Sequence, residues 1–162
     1  AAVIGTRRAM AGAHDSFVSS TYWTESLGPA AALATVRKMQ RIDMPAHCAR
    51  IGRRVQDAWR ELGCGHRLPV TVDDWYPALA HFHFDHEWGD ALKTLYVQLM
   101  LARGCLATTS IYVTLAHTEE VTDRYTAAVD TVFGELAEAL DAGDVQERLA
   151  GPVVHAGFRR LT

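Results

Sequence analysis

The sequence predicts an α+β fold in which helices cover one face of a small antiparallel sheet. Three observations predict it. From Leu68 onward the segments read strand, strand, helix, strand, helix, an order that layers helices on a sheet rather than winding a parallel one. The run Ala78 to Phe84 alternates Leu79, His81 and His83 with Ala80, Phe82 and Phe84, the period of a half-buried strand. A long helix precedes these strands, with Ile51, Val55, Trp59 and Leu62 on one stripe.

Taken in order, Ala1 to Thr6 reads as a buried strand and Arg8 to Ala13 as a helical turn. Phe17 to Ala34 follows, with hydroxyls at Ser16, Ser19, Ser20, Thr21, Thr24 and Ser26 ahead of a helix from Pro29 to Gln40. Ala32, Leu33, Val36 and Met39 recur there at helical spacing. Pro45 reads as the first residue of the long helix, whose end is marked by Gly63-Cys64-Gly65. Leu68 to Val72 and Ala78 to Phe84 are strands. Asp90 is the expected cap of a helix running through Arg103 to Gly104, burying Leu92, Leu95, Tyr96, Leu99 and Met100. Ile111 to Leu115 is the last strand. Thr118 caps the longest helix, with Val121, Tyr125, Ala128, Val129, Val132, Phe133, Leu136 and Leu140 on its stripe. Glu119 and Glu120 lie in its first turn, where the helix dipole favours acids.

A length of 162 residues suits one ordinary domain or a piece of a larger protein. The net charge of −3 makes no case for nucleic acid, and no apolar run approaches the ~20 residues that span a bilayer. Arg7 and Arg8 precede a mixed rather than an apolar segment, so no signal peptide is expected. Cys48, Cys64 and Cys105 are odd in number and widely spaced, without a CxxC pair. They suit reduced thiols in a cytoplasmic protein. Of 16 basic residues only Lys38 and Lys93 are lysines. Arginine stays protonated, so these two are the candidates for imine chemistry within the chain.

Three features could carry chemistry. The hydroxyls before the Pro29 helix, with free helix N–H groups, suit an anion such as phosphate, although a polar capping loop has the same composition. In HFHFDH, alternation places His81 and His83 on one face with Asp85, and His86 could reach round from the turn. A half-exposed strand beside a loop explains the same histidines, and no fourth ligand is obvious elsewhere, so no metal site is expected. His117 could face a ligand or satisfy local backbone groups. There is no GxSxG elbow, P-loop or GxGxxG.

Four strings in colinear order, AAVIGTRRAM, STYWTESLGPAAALATVRKM, ALKTLYVQLMLARGCLA and YVTLAHTEEVTDRYTAAVD, resemble the C-terminal part of class III aminotransferases. These are fold type I pyridoxal-phosphate enzymes, and the likeness is nearest the subgroup that includes glutamate-1-semialdehyde aminomutase. The resemblance implies that residues 1–42 are the end of the large cofactor-binding domain of an α/β parent enzyme, and residues 43–162 its small C-terminal α+β domain. It implies pyridoxal 5'-phosphate as cofactor, held as an imine by a lysine just before the AAVIG-like strand and hence upstream of this chain. Lys38 and Lys93 match neither its position nor its surroundings. The 162 residues are therefore not expected to catalyse transamination alone.

The TxSxxP segment carries over as Thr24, Ser26 and Pro29. By resemblance Thr24 reaches the cofactor phosphate of the neighbouring subunit of a homodimer, with Ser26 beside it. Leu27-Gly28 stands where the family usually has Gly-Asn or Gly-His. The aminomutase glutamate of a QFEAGF-like strand has no counterpart in Ala107 to Tyr112, which favours transfer between a small-molecule amino donor and acceptor over isomerisation. An aminomutase-like isomerase is the nearest alternative, and a non-catalytic binding or regulatory domain is the alternative of another class.

Overall fold

The computed structural model describes residues 3–16 and 25–154. The chain divides into two compact units, Ala1–Ile42 and Asp43–Thr162.

The first unit holds two helices. The Thr6 hydroxyl accepts from the Ala9 N–H and opens α1 (Arg7–Ala11), which tightens into a 3-10 turn at Gly12–Asp15. Helix α2 (Leu27–Arg41) starts two residues before Pro29. Proline is tolerated in this first turn because its missing N–H would have had no partner in the helix. Among the described residues, the strand expected at the chain start does not form. Val3 and Ile4 lack strand pairing and are 82% and 90% exposed. An extended segment becomes a strand only where a neighbour accepts its backbone hydrogen bonds, and none does so among the described residues. The stripe on α2 exists, but Leu33 and Val36 on it are exposed.

The second unit is the expected α+β layer. Asp43 caps α3 (Met44–Gly65) by accepting from the Ala46 N–H, with Pro45 in its first turn. Strands β1 (Val70–Val72), β2 (Leu79–Phe84) and β3 (Ser110–Tyr112) form an antiparallel sheet in that order. Val72 faces Phe82, and Ala80 faces Ile111. Helix α4 (Gly89–Ala102) lies between β2 and β3, and α5 (Glu119–Ala142) follows β3.

Pleating divides β2 as its sequence predicts: Ala80, Phe82 and Phe84 are buried against the helices, while Leu79, His81 and His83 face away. Phe82 is the hub of the core. Its ring lies 4.8 Å from Trp59 of α3, 5.4 Å from Tyr96 of α4 and 5.9 Å from Phe133 of α5. Edge and tilted contacts of this kind add to the hydrophobic gain of burying each ring.

Two helix starts differ in kind. Thr118 caps α5 as expected, accepting from the Val121 N–H. Asp90 does not cap α4; Trp88 holds that position without a side-chain bond, and Asp90 lies in the first turn. The helix begins earlier because the turn after β2 folds tightly back. The Gly89 N–H donates to the His86 carbonyl, and a Cβ at Gly89 would lie 2.7 Å from the Phe84 carbonyl oxygen. Asp90 then contributes through the helix dipole. At the other end of α5, Gly143 takes φ +72° and its N–H closes on the last turn, the left-handed cap that glycine adopts without strain.

Candidate functional site

The TxSxxP segment straddles the edge of what is described. Thr24 lies outside the described residues, as do Ser19, Ser20 and Thr21. Ser26 is the residue before α2. It is exposed, its carbonyl accepts from the Ala30 N–H at 3.0 Å, and its hydroxyl makes no capping bond to its own helix. A hydroxyl placed so, at the positive end of a 15-residue helix, suits an anion. Ser16 is engaged differently, its hydroxyl donating to the Gly12 carbonyl.

The two lysines have different settings. Lys38 is exposed on α2, and Lys93 is half-buried on α4. Lys38 lies near the other end of the helix that Ser26 precedes. His117 serves its own turn: its Nδ1 accepts from the Thr114 N–H at 3.0 Å.

A hollow of the second unit, about 430 Å³, lies between α5 and the segment joining α4 to β3. Arg103, Cys105, Thr108, His117, Arg124 and Tyr125 are among the side chains that line it. Arg103 is ion-paired with Glu135. At its floor the Tyr125 hydroxyl accepts from Trp59 Nε1 at 3.0 Å and lies 3.1 Å from the Tyr96 hydroxyl. Burial is the main cause that pushes both phenols up, Tyr125 to about 12. The helical stripe identified Tyr125 as a core residue, but not as the meeting point of three polar groups, because those partners come from α3 and α4.

The exposed sheet face also departs from expectation. His81 and His83 share it, but with Asp73 rather than Asp85 and His86. His81 Nδ1 lies 2.8 Å from one Asp73 carboxylate oxygen and His83 Nδ1 3.9 Å from the other. The Asp85 N–H donates to the Pro69 carbonyl. His86 is occupied in the turn, where its Nδ1 accepts from the Trp88 N–H at 3.1 Å. Asp73 lies outside HFHFDH, eight residues before His81, and arrives across the β1–β2 pairing, so the spacing within that string did not reveal it. Cys48, Cys64 and Cys105 form no disulfide. Among the described residues no helix is long and apolar enough to cross a membrane.

No family model matches the chain. Its fold is that found in part of a pyridoxal-phosphate protein: 86% of the chain superposes, with a TM-score of 0.74 and 18% identity, on 34% of FumI from Sphingopyxis sp. MTA144 in its internal aldimine form. In sequence it is similar to 2'-deamino-2'-hydroxyneamine transaminase of Streptomyces kanamyceticus, 31% identical over 134 residues that make up 79% of this chain. The chain spans 33% of the length of that relative.

Proposed function

We propose that this chain is the C-terminal portion of a pyridoxal-phosphate-dependent class III aminotransferase, with residues 1–42 ending its large domain and residues 43–162 forming its small domain. The observation that carries the reading is the 31% identity to a transaminase over 134 residues. The likeness of fold to part of FumI supports it, as do the four colinear strings.

The residues present suit the cofactor's phosphate. Ser26 leaves its own helix uncapped by its side chain, at an N-terminus that favours a dianion. Thr24, two residues earlier, supplies the second hydroxyl, directed to the phosphate of the neighbouring subunit in a homodimer. When bound, pyridoxal phosphate supplies the electron sink that makes proton removal beside the transferred amino group feasible. Ser26 and Thr24 would hold and orient it through hydrogen bonds that favour the charged phosphate. By the same resemblance, the lysine that would carry the cofactor and move the proton lies just before the AAVIG-like strand, a position that neither Lys38 on α2 nor Lys93 on α4 matches.

The test is the parent protein. With pyridoxal phosphate it is expected to transfer an amino group to an external keto acid. Isomerisation of an amino aldehyde without such transfer would replace this reading with the aminomutase. A parent gene without an upstream lysine would replace it with a non-catalytic domain.

A further inference from the structure

We infer that Asp73, His81 and His83 form a binding site for a divalent transition-metal ion of the zinc class, on the sheet face opposite the helices. The inference stands on the second unit alone and does not rest on the aminotransferase reading.

Strand geometry assembles the donors. His81 and His83 are two residues apart on β2, so both project from the same face, and their rings stack with centroids 6.2 Å apart. The Asp73 N–H donates to the His81 carbonyl at 3.0 Å, one step beyond the pairing of Val72 with Phe82. Asp73 therefore stands beside His81 and diagonally from His83. One ligand atom from each residue falls within 4.8 Å of the others.

The separations suit an ion. Metal–ligand bonds near 2.0–2.2 Å in a tetrahedral site set donors about 3.3 Å apart. The contacts of His81 and His83 to the two Asp73 oxygens, 2.8 and 3.9 Å, bracket that value. Entry of the ion replaces the His81–Asp73 hydrogen bond. Neutral imidazoles then offer Nδ1 to the metal and keep their proton on Nε2. Two imidazoles with one carboxylate favour zinc, nickel or copper over magnesium or calcium, which prefer oxygen. Three protein donors leave the remaining position to water.

The backbone beneath the cluster is fixed from inside. Gln56 of α3, 3% exposed, donates through Nε2 to the Asp73 carbonyl at 3.1 Å. Asp73 is thus held at both its N–H and its carbonyl, which limits the reorganisation that binding requires. All three side chains remain open to solvent, so an ion has a path of entry.

Zn2+ titration of the 162-residue chain by calorimetry, with Co2+ absorbance as a spectroscopic reporter, tests the site. One ion per chain is expected, with the weak visible bands of nitrogen and oxygen ligands. His81→Ala, His83→Ala and Asp73→Asn should each weaken binding at least about tenfold. His86→Ala should leave it unchanged, and Mg2+ should not compete. The substituted side chains are exposed, and circular dichroism verifies that each variant is folded. No saturable Zn2+ binding overturns the proposal. So does unchanged affinity in the His81→Ala/His83→Ala double variant, or a thiolate-to-cobalt charge-transfer band, which would place the ion on a cysteine.

Discussion

Trp59 donates its indole N–H to the hydroxyl of Tyr125 across 3.0 Å, joining α3 to α5 by a polar bond beside an apolar core. The Tyr96 hydroxyl lies 3.1 Å from the same oxygen, so the bond also ties in α4. All three helices on the sheet thus meet at one phenol. Trp59 and Tyr96 are fully buried. Tyr125 borders the 430 Å³ hollow with its hydroxyl turned inward to them.

Removing that hydroxyl should cost more than one ordinary hydrogen bond. Tyr125→Phe leaves the indole N–H of Trp59 buried without its acceptor, a loss of about 1–3 kcal/mol. The double substitution Trp59→Phe/Tyr125→Phe removes the stranded donor too. Urea unfolding of the two single variants and the double variant should therefore show coupling between them.

The same phenols make stability depend on alkaline pH. Burial raises the pKa of Tyr125 from 10.0 to about 12 and raises that of Tyr96 as well. The folded chain holds these protons more tightly than the unfolded chain. Their contribution is fully present below pH ~10 and is lost as pH rises above it, for Tyr125 towards ~12. Tyrosinate absorbance should show two phenols silent until the chain unfolds. In Tyr125→Phe the decline of stability with pH over this range should be shallower.

Phe82→Ala should be among the most damaging single changes, at about 3–5 kcal/mol. The ring removed touches Trp59, Tyr96 and Phe133, one from each covering helix. His83→Ala on the opposite face of the same strand should change the denaturant midpoint little. If both variants lost stability equally, the assignment of the two faces would be wrong.

Gly52 on α3 marks a close approach that no side chain tolerates. An added Cβ would lie 1.9 Å from the Pro77 carbonyl oxygen, which is backbone and has no rotamer to yield. Gly52→Ala should destabilise by about 1–3 kcal/mol, in the range of overpacked sites. Gly65→Ala meets nothing within 4 Å and should be neutral or slightly stabilising. Comparing the two denaturant midpoints separates the steric effect from helix propensity.

On the proposed aminotransferase reading, Thr24→Val and Ser26→Ala in the parent protein should each weaken retention of pyridoxal phosphate about tenfold, as the loss of a charge-assisted hydrogen bond implies. Lys38→Ala and Lys93→Ala should leave the cofactor's imine absorbance in place. Disappearance of that band in either lysine variant would move the imine into this chain and overturn the proposed division of the site.

Much of the second unit was legible because its signals are local. The Thr118 hydroxyl caps α5 from a threonine and two glutamates that follow directly. The alternation of β2 assigned Phe82 to the core and His83 to the outer face without knowledge of any neighbour. The site was less legible. The histidines of β2 were visible, but Asp85 and His86 stood in for Asp73, which hydrogen-bond pairing carries to His81 from eight residues away.

The sequence by itself determined the order of elements from α3 onward, the buried stripe of α3 and α5, and the two faces of β2. Each follows from a period of 3.6 or 2 residues along the chain. Only the tertiary structure decided that Val3 and Ile4 make no strand among the described residues, since a strand exists through its partner. It alone set Tyr125 between Trp59 and Tyr96, and Asp73 beside His81. Those contacts depend on register and helix packing, which residues far apart in sequence establish together.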